Sequence, residues 1–282
     1  ARTHQAASLA ITFDPLPAEV LRPDKAPTRL CTTDERIQEI LRAGIDRVAL
    51  LHFDENLAHQ PAESFLETIV RFARPVAIVI GEDFAFGHQR RGTPEFLEAQ
   101  SSLNNYELEV VQRVNPDGIE LSSSAARKAL AENGDVKYVA EVLGRPYRLV
   151  GQVSNGERRG RVLGYPTANL HLPDRLTHPA DGIYAATVSE LGRGDAHDER
   201  PALVYVGTRP TFGGGKRLVE VFLLDFNDDL YGKHLCVAFV DRIRGDRYFE
   251  SSDELVAQMR RDEAAGRAIF QAHGIKVSST DS

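Results

Sequence analysis

Residues 202–226 read ALVYVGTRPTFGGGKRLVEVFLLDF. Two apolar-rich runs stand on either side of a glycine turn signal, and neither shows helical spacing. The same rhythm extends in both directions: YRLVGQV (147–153), TANLHL (167–172) and IYAATVSEL (183–191) precede it, and HLCVAFV (234–240) follows. Six short strands without intervening helices predict an antiparallel barrel or a sandwich. Only SSDELVAQMRRDEAAGRAIF (251–270) returns to a helical pattern, and LGRGDAHDER (191–200) reads as a loop between strands.

Upstream of Tyr147 the pattern is different. SLAITF (8–13), RVALLHF (47–53), VAIVI (76–80) and YELEVVQRV (106–114) read as strands. TDERIQEILRA (33–43), SFLETIVRFA (64–73) and TPEFLEAQSSL (93–103) read as helices between them. Alternation with short connections predicts a doubly wound α/β domain, and the unbroken apolar run VAIVI predicts a strand buried on both faces. SSSAARKALAEN and DVKYVAEVLG add two helices that close this domain near Gly144. The fold class is therefore α/β plus β. Residues 1–144 form the first domain, 145–275 the second, and 276–282 a tail.

Composition narrows the function. The 282 residues are 42% hydrophobic and 27% charged, as in ordinary globular proteins. A net charge of −7 argues against a general nucleic-acid binder. Cys31 and Cys236 form no CxxC pair, so the reading is a reducing cytoplasm without a disulfide framework. No apolar run reaches the roughly 20 residues a membrane span needs. The chain begins without Met and enters a strand almost at once, which reads as a start lying further upstream.

Several constellations carry chemistry. In GRVLGYPTANL (160–170), Thr167 and Asn169 lie two residues apart and share a strand face. They are either polar outward positions of an edge strand or hard, neutral oxygen donors for Mg²⁺ and nucleotide phosphates. The glycine- and arginine-containing loop ahead of them, with Gly160, Arg161 and Gly164, could cover a nucleotide. Glu220 shares a strand face with Phe222, Leu224 and Phe226, opposite Val219, Val221 and Leu223. It is either a general base or a carboxylate at the strand's wet end. Ser122 or Ser123 can cap a helix, while Ser123, Ser124 and Arg127 together could hold an anion. FDPLP (13–17) and GEDFAFG (81–87) follow two strands and border one crevice, where Phe84 and Phe86 either stack on a flat ring or pack in the core.

In order, GRVLGYPTANL, DGIYAATV, VGTRPTF, VEVFLLDFNDDLYGK and the helix with LVAQM resemble the riboflavin kinase module of the prokaryotic bifunctional riboflavin kinase/FMN adenylyltransferase (FAD synthetase) family. TFDPLPAEVLRPDKAP, GEDFAFG and LSSSAAR resemble its adenylyltransferase module. The resemblance covers nearly the whole chain. It implies a nucleotidyltransferase-like (Rossmann-like) domain followed by a six-stranded antiparallel β-barrel with a C-terminal helix. It also implies ATP- and Mg²⁺-dependent conversion of riboflavin to FMN, then of FMN to FAD. Thr167 and Asn169 would hold Mg²⁺ and the ATP phosphates under the loop with Gly160, Arg161 and Gly164, and Glu220 would be the base. Arg244 and Phe249 would border the flavin. In the other site Ser123, Ser124 and Arg127 would contact ATP phosphates, and Phe13, Asp83 and Phe84 the flavin. The partners expected are small molecules (riboflavin, FMN, ATP) with no nucleic acid or membrane, the chain being a monomer or weak homo-oligomer.

Departures from the family pattern are Leu16 for His, Tyr205 for Asn, Phe222 for His and Asp246 for Glu. The family's His-x-Gly-His signature is not in the sequence, which implies poor adenylylation by this polypeptide or none, and a first domain short of its central strand. A kinase with a scaffold domain, or a flavin-binding module without turnover, are the alternatives. The pairing of a base with two metal-type ligands favours an enzyme over the last.

Overall fold

The structure is a computed structural model that describes residues 1–112, 121–154, 165–191, 199–209, 216–226 and 228–277. By packing, the chain divides into two compact units: 1–27 with 32–116, and 28–31 with 117–282.

In the first unit β1 (Leu9–Asp14) pairs in parallel with β2 (Arg47–His52), and β3 (Ala77–Gly81) with β4 (Glu107–Val111). Among the described residues these are two separate two-stranded sheets. Helices α1 (Pro17–Leu21), α2 (Thr33–Arg42), α3 (Glu55–Ala58), α4 (Ala62–Ala73) and α5 (Pro94–Asn104) fall between the strands. The start of α2 is fixed by a capping box: Thr32 Oγ1 accepts from Glu35 N at 3.2 Å, and Glu35 Oε2 accepts from Thr32 N at 2.8 Å. Parallel pairing agrees with the α/β expectation. The expectation of a doubly buried VAIVI does not hold, because Ile80 is buried while Val79 is 58% exposed. Among the described residues β3 pairs only with β4, and its covered face is the one where Ile80 packs on Leu66 and Leu97 of the helices.

In the second unit α6 (Ser123–Lys128), a π-turn (Ala129–Asn133) and α7 (Val136–Leu143) precede six strands. These are β5 (Arg148–Ser154), β6 (Ala168–His171), β7 (Gly182–Glu190), β8 (Arg200–Arg209), β9 (Lys216–Leu223) and β10 (His234–Gly245). They close into an antiparallel barrel in the order β10-β5-β6-β9-β8-β7, which leaves no free edge. Of the barrel and the sandwich, the barrel is what forms.

Alternation decides what fills it. Leu149, Tyr184, Val204, Val219, Val221 and Val237 point inward and are buried, and Ala126, Leu130, Val136 and Val139 of the preceding helices join the same cluster. The helices that the sequence assigns to the end of the first domain thus bury their apolar face in the barrel unit. The last helix, α8 (Ser252–Ala272), covers an outer face of the barrel. There Ala185, Leu203, Leu224 and Phe270 form a second core with Phe222. The face expected to carry Glu220, Phe222, Leu224 and Phe226 ends early. Strand β9 stops at Leu223, Asp225 turns at φ 54°, and Phe226 packs on the barrel's main core instead.

Candidate functional site

Strand register builds one row across the outside of the barrel. Arg244 pairs with Ile183, Ile183 with Tyr205, Tyr205 with Glu220, Glu220 with Asn169, and Asn169 with Ser154. The flanking positions Tyr184, Val204, Val219, Val221 and Ala168 are buried inside, so the row faces outward. Thr167 lies just before β6 and Phe249 just after β10.

A cavity of about 340 Å³ opens over this row beneath α8. Its lining combines aromatic rings (Tyr165, Tyr205, Phe222, Phe249) and aliphatic groups (Ile183, Leu203, Leu255, Met259) with Thr167, Glu220, Arg244 and Asp262. The rings of Tyr165 and Phe222 are 5.0 Å apart. The Arg244 and Arg247 guanidinium carbons lie 5.7 and 5.5 Å from the Phe249 centroid, within cation–π range. Such walls suit a flat conjugated ligand. A second cavity of about 420 Å³ has Pro166, Val221, Phe226, Asp228, Leu230 and Tyr231 in its wall. Thr167 lines both.

Arg244 is held by a residue the sequence reading missed. Asp262 on α8 is 3% exposed and accepts from Arg244 Nε at 2.9 and 3.0 Å, from Arg244 Nη2 at 2.7 Å and from Gln258 Nε2 at 2.8 Å. A signal was available: Leu255, Met259, Asp262, Gly266 and Phe270 follow one helical stripe, and the carboxylate interrupts its apolar run. Tyr205 is a half-buried phenol whose pKa is raised to about 12, first by burial and then by Asp246, Asp181 and Glu220.

Thr167, Glu220, Arg244 and Phe249 are thus brought to one cavity, with Asn169 beside Glu220 in register. Thr167 and Asn169 offer the neutral hard oxygens that Mg²⁺ accepts when phosphates complete its shell, so the donor set fits that ion. Among the described residues no group of three His, Cys, Asp or Glu side chains could hold a metal by itself. Gly160, Arg161, Gly164 and most of the 191–200 loop lie outside the described residues.

The other expected residues are divided between the units. In the first, Phe13 is the penultimate residue of β1, its ring is 5.5 Å from Phe53, and its carbonyl accepts from Arg36 Nη2 at 2.6 Å. Asp83 and Phe84 follow β3, with Phe84 42% exposed and 5.7 Å from Phe86. Phe86 contacts Phe65 and Phe96, so of the two aromatics it is the core residue. In the second unit Ser122 Oγ caps α6 by accepting from Ala125 N at 3.0 Å, leaving Ser123 and Ser124 exposed. Arg127 Nε donates to the Thr28 carbonyl at 2.7 Å, and burial lowers the guanidinium's pKa from its ordinary value.

Two family models match the chain: riboflavin kinase over residues 143–270 and FAD synthetase over residues 1–125. The bifunctional riboflavin kinase/FMN adenylyltransferase of Escherichia coli (strain K12) is 35% identical over 263 residues, covering 93% of this chain and 82% of that protein. The protein of the same description from Pseudomonas fluorescens is 35% identical over 264 residues, with the same coverage. Among solved structures, one described as a macrolide-efflux protein from Streptococcus pneumoniae superposes with a TM-score of 0.84 at 34% identity, over 95% of this chain and 85% of that one. Among the described residues no helix is long and apolar enough to cross a membrane.

Proposed function

The chain belongs to the bifunctional riboflavin kinase/FMN adenylyltransferase family, enzymes of flavin cofactor biosynthesis, and from that premise we propose how its residues divide the work. The barrel carries the kinase reaction, with the functional boundary at 144/145. The observation that supports this most is Thr167 in the wall of both cavities, beside a carboxylate that faces only the first. A transferase for two ligands needs such a junction.

Riboflavin occupies the aromatic cavity and ATP the second, its terminal phosphate directed at Thr167 and Asn169. Glu220 accepts the proton of the ribityl 5′-hydroxyl as that oxygen attacks the γ-phosphorus. A new O–P bond forms, the bond from γ-phosphorus to the bridging oxygen breaks, and ADP leaves. Thr167 and Asn169 would hold Mg²⁺, which neutralises phosphate charge when bound. Phosphoryl transfer asks for little beyond positioning, charge compensation and one oriented base, and the row supplies the first and the last. For AMP transfer to FMN with release of pyrophosphate, we assign ATP-phosphate contacts to Ser123, Ser124 and Arg127, and flavin contacts to Phe13, Asp83 and Phe84. The expected compartment is the reducing cytoplasm, on the cysteine argument.

Incubation with riboflavin, ATP and Mg²⁺, followed by separation of the flavins, tests the reading. FMN should form, and Glu220→Gln should lower kcat by at least about 100-fold, as loss of a general base does, while riboflavin still binds. Absence of FMN with the unaltered chain, or full activity in the variant, overturns it.

A further inference from the structure

Two residues of the aromatic cavity take no part in the transfer step, and both depart from the family pattern. Tyr205 stands between Ile183 and Glu220 in the row, and its ring lies back along β8 over Gly207, where any Cβ would collide with the phenol oxygen. That oxygen donates to Asp246 Oδ2 at 3.3 Å. The other oxygen of Asp246 accepts from Arg247 N at 2.8 Å. One carboxylate therefore ties strand β8 to the backbone that follows β10. At its far end this segment is held by Glu254, which accepts from Arg247 Nη2 at 2.8 Å and from Glu250 N at 3.3 Å. Between the two anchors lies Phe249, a wall of the cavity. With a pKa near 12, the phenol keeps its proton and remains a donor throughout the working pH range.

We propose that Tyr205 is a positioning residue for the flavin: its hydroxyl, through Asp246, latches residues 246–250 to β8 and fixes Phe249 as a wall of the binding cavity. The identity of the occupant rests on the function proposed above; the latch itself does not. The competing arrangement is that Glu254 alone holds the segment.

The test uses Tyr205→Phe, Asp246→Ala, Asp246→Asn and the Tyr205→Phe/Asp246→Ala double variant of the full chain. Hydrogen exchange of the 246–250 amides is followed without ligand, and riboflavin affinity by flavin fluorescence. Tyr205→Phe and Asp246→Ala should each speed exchange several-fold. Each should also raise the riboflavin Kd by about two- to tenfold, the range for losing one hydrogen bond. The double variant should be no worse than Asp246→Ala alone, because Tyr205 acts only through that carboxylate, which also holds Arg247 N. Asparagine still offers an acceptor oxygen, so Asp246→Asn should recover part of what Asp246→Ala loses. KM should follow Kd, with kcat moving less. Unchanged exchange in Tyr205→Phe, additive effects, or an asparagine variant as impaired as the alanine one would each overturn the latch. Failure of the unaltered protein to bind riboflavin would instead refute the functional reading, and the exchange measurement would still decide the latch.

Discussion

At the scale of single residues, polar groups in apolar surroundings mark this molecule's sensitive points. Asp262 is acceptable inside the α8 interface only because Arg244 and Gln258 satisfy it. His178 shows the same rule in its pH dependence. Burial first, and then Arg217, lowers its pKa, against a contact of Nδ1 with the Leu176 carbonyl at 3.0 Å. The folded protein therefore keeps His178 neutral where the unfolded chain, with its ordinary value near 6.5, takes up a proton. The unfolded state binds more protons, so this contribution to stability is present above about pH 6.5 and is lost as pH falls below it. Denaturant midpoints at pH 7.5 and pH 5 should show that loss, and His178→Gln should show less of it. An equal loss in both would remove His178 from the account. Glu220 was legible in the sequence as a charged residue amid an apolar run. Its pairing with Asn169 and Tyr205 was not, because register joins residues far apart in the chain.

At the scale of elements, the close approach of α8 to the barrel shapes the first cavity. A Cβ at Gly266 would stand 2.5 Å from Leu203 Cδ2. Two magnitudes compete in Gly266→Ala: helix propensity gains roughly 1 kcal/mol, while forcing a methyl into a filled interface costs about 1–3 kcal/mol. Leu203 is the movable party, and it also lines the cavity. Gly266→Ala should therefore change melting temperature little and weaken riboflavin binding several-fold, and adding Leu203→Ala should restore part of the affinity. Loss of the fold with unchanged affinity in whatever remains folded would contradict this. The strands and the long helices were readable from period-2 and period-3.6 spacing. The end of β9 at Leu223 was not, since the apolar run continues through Phe226 while the backbone turns at Asp225.

At the scale of the whole molecule, the packing units and the functional modules do not share a boundary. Ala126, Leu130, Val136 and Val139 are fully buried in the barrel's core, although the riboflavin kinase model begins at residue 143. A fragment 145–277 would expose that core end and should melt well below a fragment 121–277, or aggregate. Equal melting temperatures would show the helices to be dispensable. By itself, the sequence determined the strand and helix rhythm, the change of architecture near Tyr147 and the family, and it singled out the residue types proposed for phosphoryl transfer. Those follow from local spacing and side-chain chemistry. Strand spacing left barrel and sandwich open, and the family resemblance implied the barrel. Only the tertiary structure decided the register by which the strands close, that Thr167 joins two cavities, that Asp262 secures Arg244, and that Tyr205 reaches Asp246. Each of these joins residues distant in the chain, and closure and register, which bring them together, depend on how the whole set of strands packs.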